Sequence, residues 1–149
     1  MKSERCKVVT ALVLTTLFCA GQSIAQAPRL PNPVLYLSGM EFLEVGGKQI
    51  IRYRFDVLNK TDYPDDLFAA APDLPPCGTN TKASRTWVDI YAQDGKRLQG
   101  FCALSKSADL NKIWFGLESN TVPPSWIYIE LTDRRTNTKY KSNLADTTQ

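Results

Sequence analysis

The chain has 149 residues, 43% of them hydrophobic and 22% charged, a formal charge of +3, four cysteines and no histidine. That length supports one hydrophobic core. Without imidazole there is no Ser-His-Asp or Cys-His nucleophile, no histidine metal ligand, and no side chain whose ordinary pKa lies near neutrality.

At the N-terminus Lys2, Arg5 and Lys7 precede an apolar run over residues 8–20, and the small residues Ser23 and Ala25 follow. The run is about 13 residues, short of the roughly 20 that span a bilayer, so residues 1–25 read as a secretory signal peptide cleaved after Ala25. Pro28 disfavours cleavage after Ala27, and the bulky Phe18 before Cys19 departs from a lipoprotein signal. Cys6 and Cys19 leave with the signal, as do three basic residues and Glu4, so the formal charge falls from +3 to +1. Nucleic-acid binding thereby loses its compositional support. No second long apolar run follows, which argues against an integral membrane segment.

The expected protein is therefore secreted or periplasmic. Its remaining cysteines, Cys77 and Cys102, enter an oxidising compartment and are expected to pair. Closing a loop of that size contributes about 3 kcal/mol in the chain-entropy model. A redox-active pair would normally show Cys-x-x-Cys spacing instead.

After a proline-rich lead-in over residues 26–33, strand-like segments alternate with turn signals. The first, residues 34–45, is interrupted by Ser38-Gly39, which predicts a bulge or a switch between sheets. Gly46-Gly47-Lys48 then turns the chain into residues 49–59, where Ile51, Tyr53, Phe55 and Val57 alternate with Arg52, Arg54 and Asp56. Period two puts one apolar face inward and one charged face outward. Residues 60–84 are irregular, with four prolines and one expected helical turn at residues 67–71. A loop this long is functional or pinned, and Cys77 supplies the pin.

The second half reads as two hairpins. Residues 86–91 and 97–102 flank Asp94-Gly95, for which a type I′ turn is expected. A strand over 111–117 leads through Pro123-Pro124 to strands over 126–131 and 139–143, joined by a turn over 133–137. A sandwich domain over 34–144 would then end in a polar tail, residues 145–149, of which Asp146 to Gln149 are expected to fray.

About seven strands in roughly 110 residues is the pattern of a two-sheet sandwich. The arrangement resembles an immunoglobulin or fibronectin type III-like domain, without the antibody-type staple, since Cys77 falls in a loop. The strings Tyr63-Pro64-Asp65-Asp66-Leu67-Phe68, Leu74-Pro75-Pro76-Cys77-Gly78, Trp87-Val88-Asp89-Ile90-Tyr91 and Gly100-Phe101-Cys102 resemble a group of uncharacterised secreted bacterial proteins. That resemblance implies compartment and fold and carries no catalytic residues.

With Val88, Ile90, Ile127, Ile129 and Leu131 inward, alternation turns Trp87, Asp89, Tyr91, Trp126, Tyr128 and Glu130 outward, and Trp114 likewise. Outward aromatic rings serve protein contacts or stack on sugars. The competing readings are that the long loop covers them or that the parity is reversed on one strand. Asp62, Asp65, Asp66 and Asp73 match no calcium-loop spacing and read as a solvated loop, with Asp62 and Asp65 capping local amides. No metal site or cofactor is expected. Arg52, Arg54, Arg134 and Arg135 are interspersed with acids and read as solvated. No nucleophile elbow, phosphate loop or zinc spacing occurs.

The sequence thus points to a non-catalytic secreted module that recognises an envelope protein or glycan through Trp87, Tyr91, Trp126 and Tyr128 together with the loop around Asp65 to Pro76, with Asp89, Glu130 and the arginines orienting the partner at the rim. Two alternatives remain open: a structural accessory domain of an envelope assembly acting through sheet-edge contacts, and a carboxylate hydrolase needing two acids across a cleft.

Overall fold

The structure, a computed structural model, describes residues 29–148. The signal-peptide run, Cys6, Cys19 and the cleavage site at Ala25 lie outside the described residues. Among the described residues no helix is long and apolar enough to cross a membrane.

The fold is an all-β sandwich of two antiparallel sheets. Strands β1 (Leu35–Val45) and β2 (Lys48–Val57) form a long hairpin, and β5 (Ile113–Glu118) joins β2 to complete the smaller sheet, in the order β1-β2-β5. The larger sheet runs β4-β3-β6-β7, from β3 (Thr86–Ala92), β4 (Arg97–Phe101), β6 (Trp126–Asp133) and β7 (Thr138–Lys141). A two-residue strand, β8 (Ala145–Asp146), pairs with the start of β6.

Alternation places the core where the sequence puts it. Phe55, Val57, Val88, Ile90, Ile113, Ile127 and Ile129 are fully buried, and Leu131 nearly so. Phe115 bridges the smaller sheet, stacked at 4.9 Å on Tyr53 and 5.7 Å on Phe55. Burying such side chains from both sheets supplies the main driving force for closing the sandwich.

The bulge expected at Ser38-Gly39 is present, as a shift in the β1–β2 register between Leu37 and Gly39. It resets the parity of β1, so that Met40 and Phe42 oppose Tyr53 and Ile51 on the inner face. The β3–β4 turn differs from the expected type I′. Gly95 alone adopts positive φ, at 87°, while its amide bonds Ala92 O and the Ala92 amide bonds Lys96 O. This is a type I turn closed by a left-handed glycine, which leaves Asp94 in ordinary backbone space and shifts the register between Ile90 and Tyr91.

Cys77 and Cys102 are disulfide-bonded, with Cα atoms 6.3 Å apart. The bond ties residues 60–84 to the end of β4, where the Ser84 amide also bonds Cys102 O. The helical turn expected at 67–71 lies earlier. It forms at Asp65–Leu67, after another 3-10 turn at Lys60–Asp62, because Pro64 starts the chain in extended geometry and the buried Leu67 and Phe68 then anchor it. The residues that lead into these turns, Asn59 and Pro64, make no side-chain cap, and the local cap expected of Asp65 is replaced by a distant partner. Asp65 instead accepts from the amide and hydroxyl of Ser107.

Two further expectations are corrected. Residues 107–112 form 3-10 turns, so Asn111 and Lys112 precede β5 rather than begin it; Leu110, fully buried, holds this segment against the core. The tail does not fray over residues 145–148. β8 pairs with β6, the Thr147 amide bonds Ser125 O, and the buried Thr147 hydroxyl bonds Pro124 O. Polar composition misled here because the tail is held by backbone pairing rather than by apolar side chains.

Candidate functional site

β3 and β6 lie side by side in the middle of the larger sheet, in a register that sets Trp87 against Thr132, Asp89 against Glu130, and Tyr91 against Tyr128. Since Val88, Ile90, Ile129 and Leu131 fill the core, the alternate residues all face outward. Trp87, Asp89, Tyr91, Tyr128 and Glu130 are half-buried on this outer face. Trp126, at the start of β6, is 41% exposed.

Four of the six expected site residues form one cluster. The Tyr91 and Tyr128 rings stack with centroids 5.2 Å apart and planes 16° from parallel. One residue pair along the strands, Asp89 and Glu130 stand opposite each other, and each holds a cation: Arg97 at 2.7 Å and Lys139 at 2.7 Å. Lys141 Nζ lies 3.9 Å from the Tyr128 ring centroid. Burial, followed by the charges of Asp89 and Glu130, pushes the Tyr91 phenol above its ordinary pKa, and the hydrogen bond to Glu130 raises Lys139. The face is a paired aromatic platform bordered by alternating charges.

Gly100 makes part of this geometry. It stands opposite Asp89 in the β3–β4 register, and a Cβ there would fall 1.9 Å from Arg97 Nη2. The missing side chain lets the guanidinium lie over β4 onto Asp89.

The tryptophans do not join the cluster as a group. Trp87 faces outward but is capped by Arg134, whose guanidinium carbon is 4.2 Å from the ring. Arg134 also donates to Ser84 O and Pro75 O, which fastens the long loop beside the ring. The Trp87 indole nitrogen is buried without a hydrogen-bond partner. Trp114 lies on the other sheet, under Arg52 at 4.6 Å and edge-on to Phe101 at 6.4 Å. Trp126 borders two shallow clefts at the far end, one with Leu35, Leu37 and Asp146, the other with Gln93, Asp94 and Pro124.

The loop acids diverge. Asp65 binds Ser107, Asp66 lies 3.4 Å from Arg85, and Asp73 pairs with Arg135 at 3.0 Å. Among the described residues no group of three potential ligands is arranged to hold a metal ion. Arg52 and Arg54 both pair with Glu41.

Arg97, Gly100, Lys139 and Lys141 were not singled out from the sequence. Alternation along β7 does place Lys139 and Lys141 on one face, so that signal was present. The Arg97–Asp89 and Lys139–Glu130 partnerships depend on strand register, which alternation alone does not supply. Comparison with protein-family models, with curated proteins and with solved structures finds no match to this chain.

Proposed function

We propose that the protein is a non-catalytic binding module of the secreted or periplasmic compartment, which recognises a protein of the cell envelope through the outer face of its larger sheet. The observation that carries this reading is the Tyr91–Tyr128 stack with an ion pair beside each ring's strand neighbour. Rigid aromatic rings supply contact area at low entropic cost, and the charges fix orientation at the rim. The platform is flat, and Lys141 occupies one approach to Tyr128, which favours a protein surface over the face of a sugar ring. A glycan is the second reading, favoured by the more open Trp126 at the end of the sheet. Asp89 and Glu130 face each other on an open sheet rather than across a cleft, and each is committed to a cation, which weighs against the hydrolase alternative.

The compartment rests on the N-terminal signal pattern together with a disulfide. The strand order β1-β2-β5 against β4-β3-β6-β7 supports a fibronectin type III-like connectivity, with β8 as an addition.

The test compares wild type with Tyr91→Ala/Tyr128→Ala and with Trp87→Ala/Trp126→Ala, by capture from envelope extract and by binding to immobilised envelope glycans. Loss of the captured partner in the tyrosine variant, with an unchanged circular-dichroism spectrum, is expected. Equal recovery by all three proteins would reject this face.

A further inference from the structure

The smaller sheet carries a surface that the proposed binding face does not use. β1 is an edge strand, and only its first residues have a neighbour on the outer side. There the Asn143 side chain accepts from the Leu35 amide at 2.7 Å and donates to Leu35 O at 3.0 Å, occupying the place of a missing strand. Beyond the bulge nothing among the described residues takes that role.

Which groups are left open follows from hydrogen-bond parity. In β2, the Leu58 amide bonds Val34 O in the β1 direction, and Gln49 O accepts from Ser119 in the β5 direction. Facing alternates along a strand, so Arg52, Ile50 and Lys48 address β1. Their partners Glu41, Leu43 and Val45 face back toward β2. Met40, Phe42 and Glu44 therefore direct their amides and carbonyls away from the sheet. The same stretch exposes apolar side chains: Phe42 is 79% and Met40 46% exposed, although both lie on the inner face. An open edge joined to an uncovered aromatic ring is a template for another strand.

We infer that this edge pairs with the same edge of a second copy of the chain, antiparallel and centred on Phe42. The open edge is self-complementary, and the bulge and the charges together select the register: centring the pair on Met40 would set Phe42 against Ser38 inside the bulge, where the ladder is broken. A two-fold axis normal to the sheet brings residues of like facing together. Centring the pair on Glu41 or on Glu44 would oppose each glutamate to its own copy, which is unfavourable. Centring it on Leu43 would oppose Phe42 to Glu44. Centring it on Phe42 stacks Phe42 on Phe42, sets Glu41 against Leu43 and Glu44 against Met40, and opposes no like charges. Glu41 is already neutralised by Arg52 and Arg54. The product is a continuous six-stranded sheet with the exposed Phe42 rings at its centre.

Sedimentation velocity of the full chain over a concentration series tests this, alongside Phe42→Lys and Met40→Lys. Wild type should sediment as a concentration-dependent dimer. Phe42→Lys opposes two lysines at the axis and should be monomeric with an unchanged circular-dichroism spectrum, since the ring it removes is exposed. Met40→Lys gains two symmetric contacts with Glu44 and should tighten the dimer by roughly two- to thirty-fold. A wild type that is monomeric at every concentration overturns the inference, as does a Phe42→Lys dimer of wild-type affinity, which would put the contact elsewhere. A Phe42→Lys dimer that is tighter than wild type overturns the register. The tyrosine variants of the larger sheet should dimerise normally, so failure of either proposal can be told from failure of the other.

Discussion

Replacing Asp133 by alanine should destabilise the domain by about 3 kcal/mol. Its carboxylate ends β6 with 6% of the side chain exposed and receives Arg85 at two points, Nε to Oδ1 at 2.9 Å and Nη2 to Oδ2 at 2.7 Å. The Arg135 amide at 3.1 Å and the Thr136 hydroxyl at 3.0 Å complete its shell. Arg85 in turn anchors the long loop, through its amide to Ala69 O and its guanidinium toward Asp66. Truncating one partner of a buried ion pair costs about 3–5 kcal/mol. Arg85 is 23% exposed and keeps Asp66, which places the loss at the lower end of that range. For a domain of this size that is a fall in Tm of about 10 °C. Urea titration read by circular dichroism checks the value, and an Arg85→Ala/Asp133→Ala variant should lose less than the sum of its single changes. A loss under about 1 kcal/mol, typical of an exposed pair, would refute the claim that this pair is held out of water.

The same carboxylate fixes a pH dependence. The hydrogen bonds from Arg85 foremost, and then those from Arg135 and Thr136, hold Asp133 below its ordinary pKa against the opposing effect of burial. Asp109 is likewise depressed, by Lys112 and Ser105. A folded-state pKa below the unfolded one contributes stability that is complete above the unfolded value, 3.8, and is lost as pH falls toward the folded value. Wild type should therefore weaken below about pH 4, and Asp133→Asn, already weaker at neutral pH, should show a shallower slope there. Equal slopes for the two proteins would remove Asp133 from this account.

Other perturbations follow from separate parts of the fold. Cys77→Ser/Cys102→Ser should lower stability by about 3 kcal/mol and make residues 60–84 the first site of proteolysis; two free thiols in the native protein would contradict the bond. Iodide should quench mainly Trp126, and Trp126→Phe should leave emission that resists quenching, because arginines cover Trp87 and Trp114. Undiminished quenching in that variant would show that the arginine caps do not persist in solution. Gly100→Ala should displace Arg97 from Asp89 at a cost under about 1 kcal/mol while weakening partner capture; unchanged capture would separate Arg97 from the binding face.

The central strands were legible because alternation leaves little choice where both core layers are aliphatic, as at Val88, Ile90, Ile127, Ile129 and Leu131. The same parity turned Asp89, Tyr91, Tyr128 and Glu130 to one face. What alternation does not carry is distance. Ser107 and Asp65 meet across 42 positions, so the 3-10 turns before β5 were invisible to any local pattern. Trp87 was legible as outward, and cover by the long loop was the competing reading; that Arg134 supplies the cap while fastening that loop was not legible, since it depends on a chain path set by the disulfide. The Asp94-Gly95 turn shows the limit of a dipeptide signal: glycine was needed at positive φ, yet the aspartate was not.

Asn143 and Leu35 are separated by 108 positions, and between them they close the seam at which β1 meets the larger sheet. A chain emerging from its N-terminus lacks this seam until residue 143 is available. Early β-hairpins can form before then, but the two sheets stay unlatched along that side. On the secreted reading proposed above, late closure of this kind keeps the sandwich from locking before export and leaves folding to the compartment where Cys77 and Cys102 are oxidised.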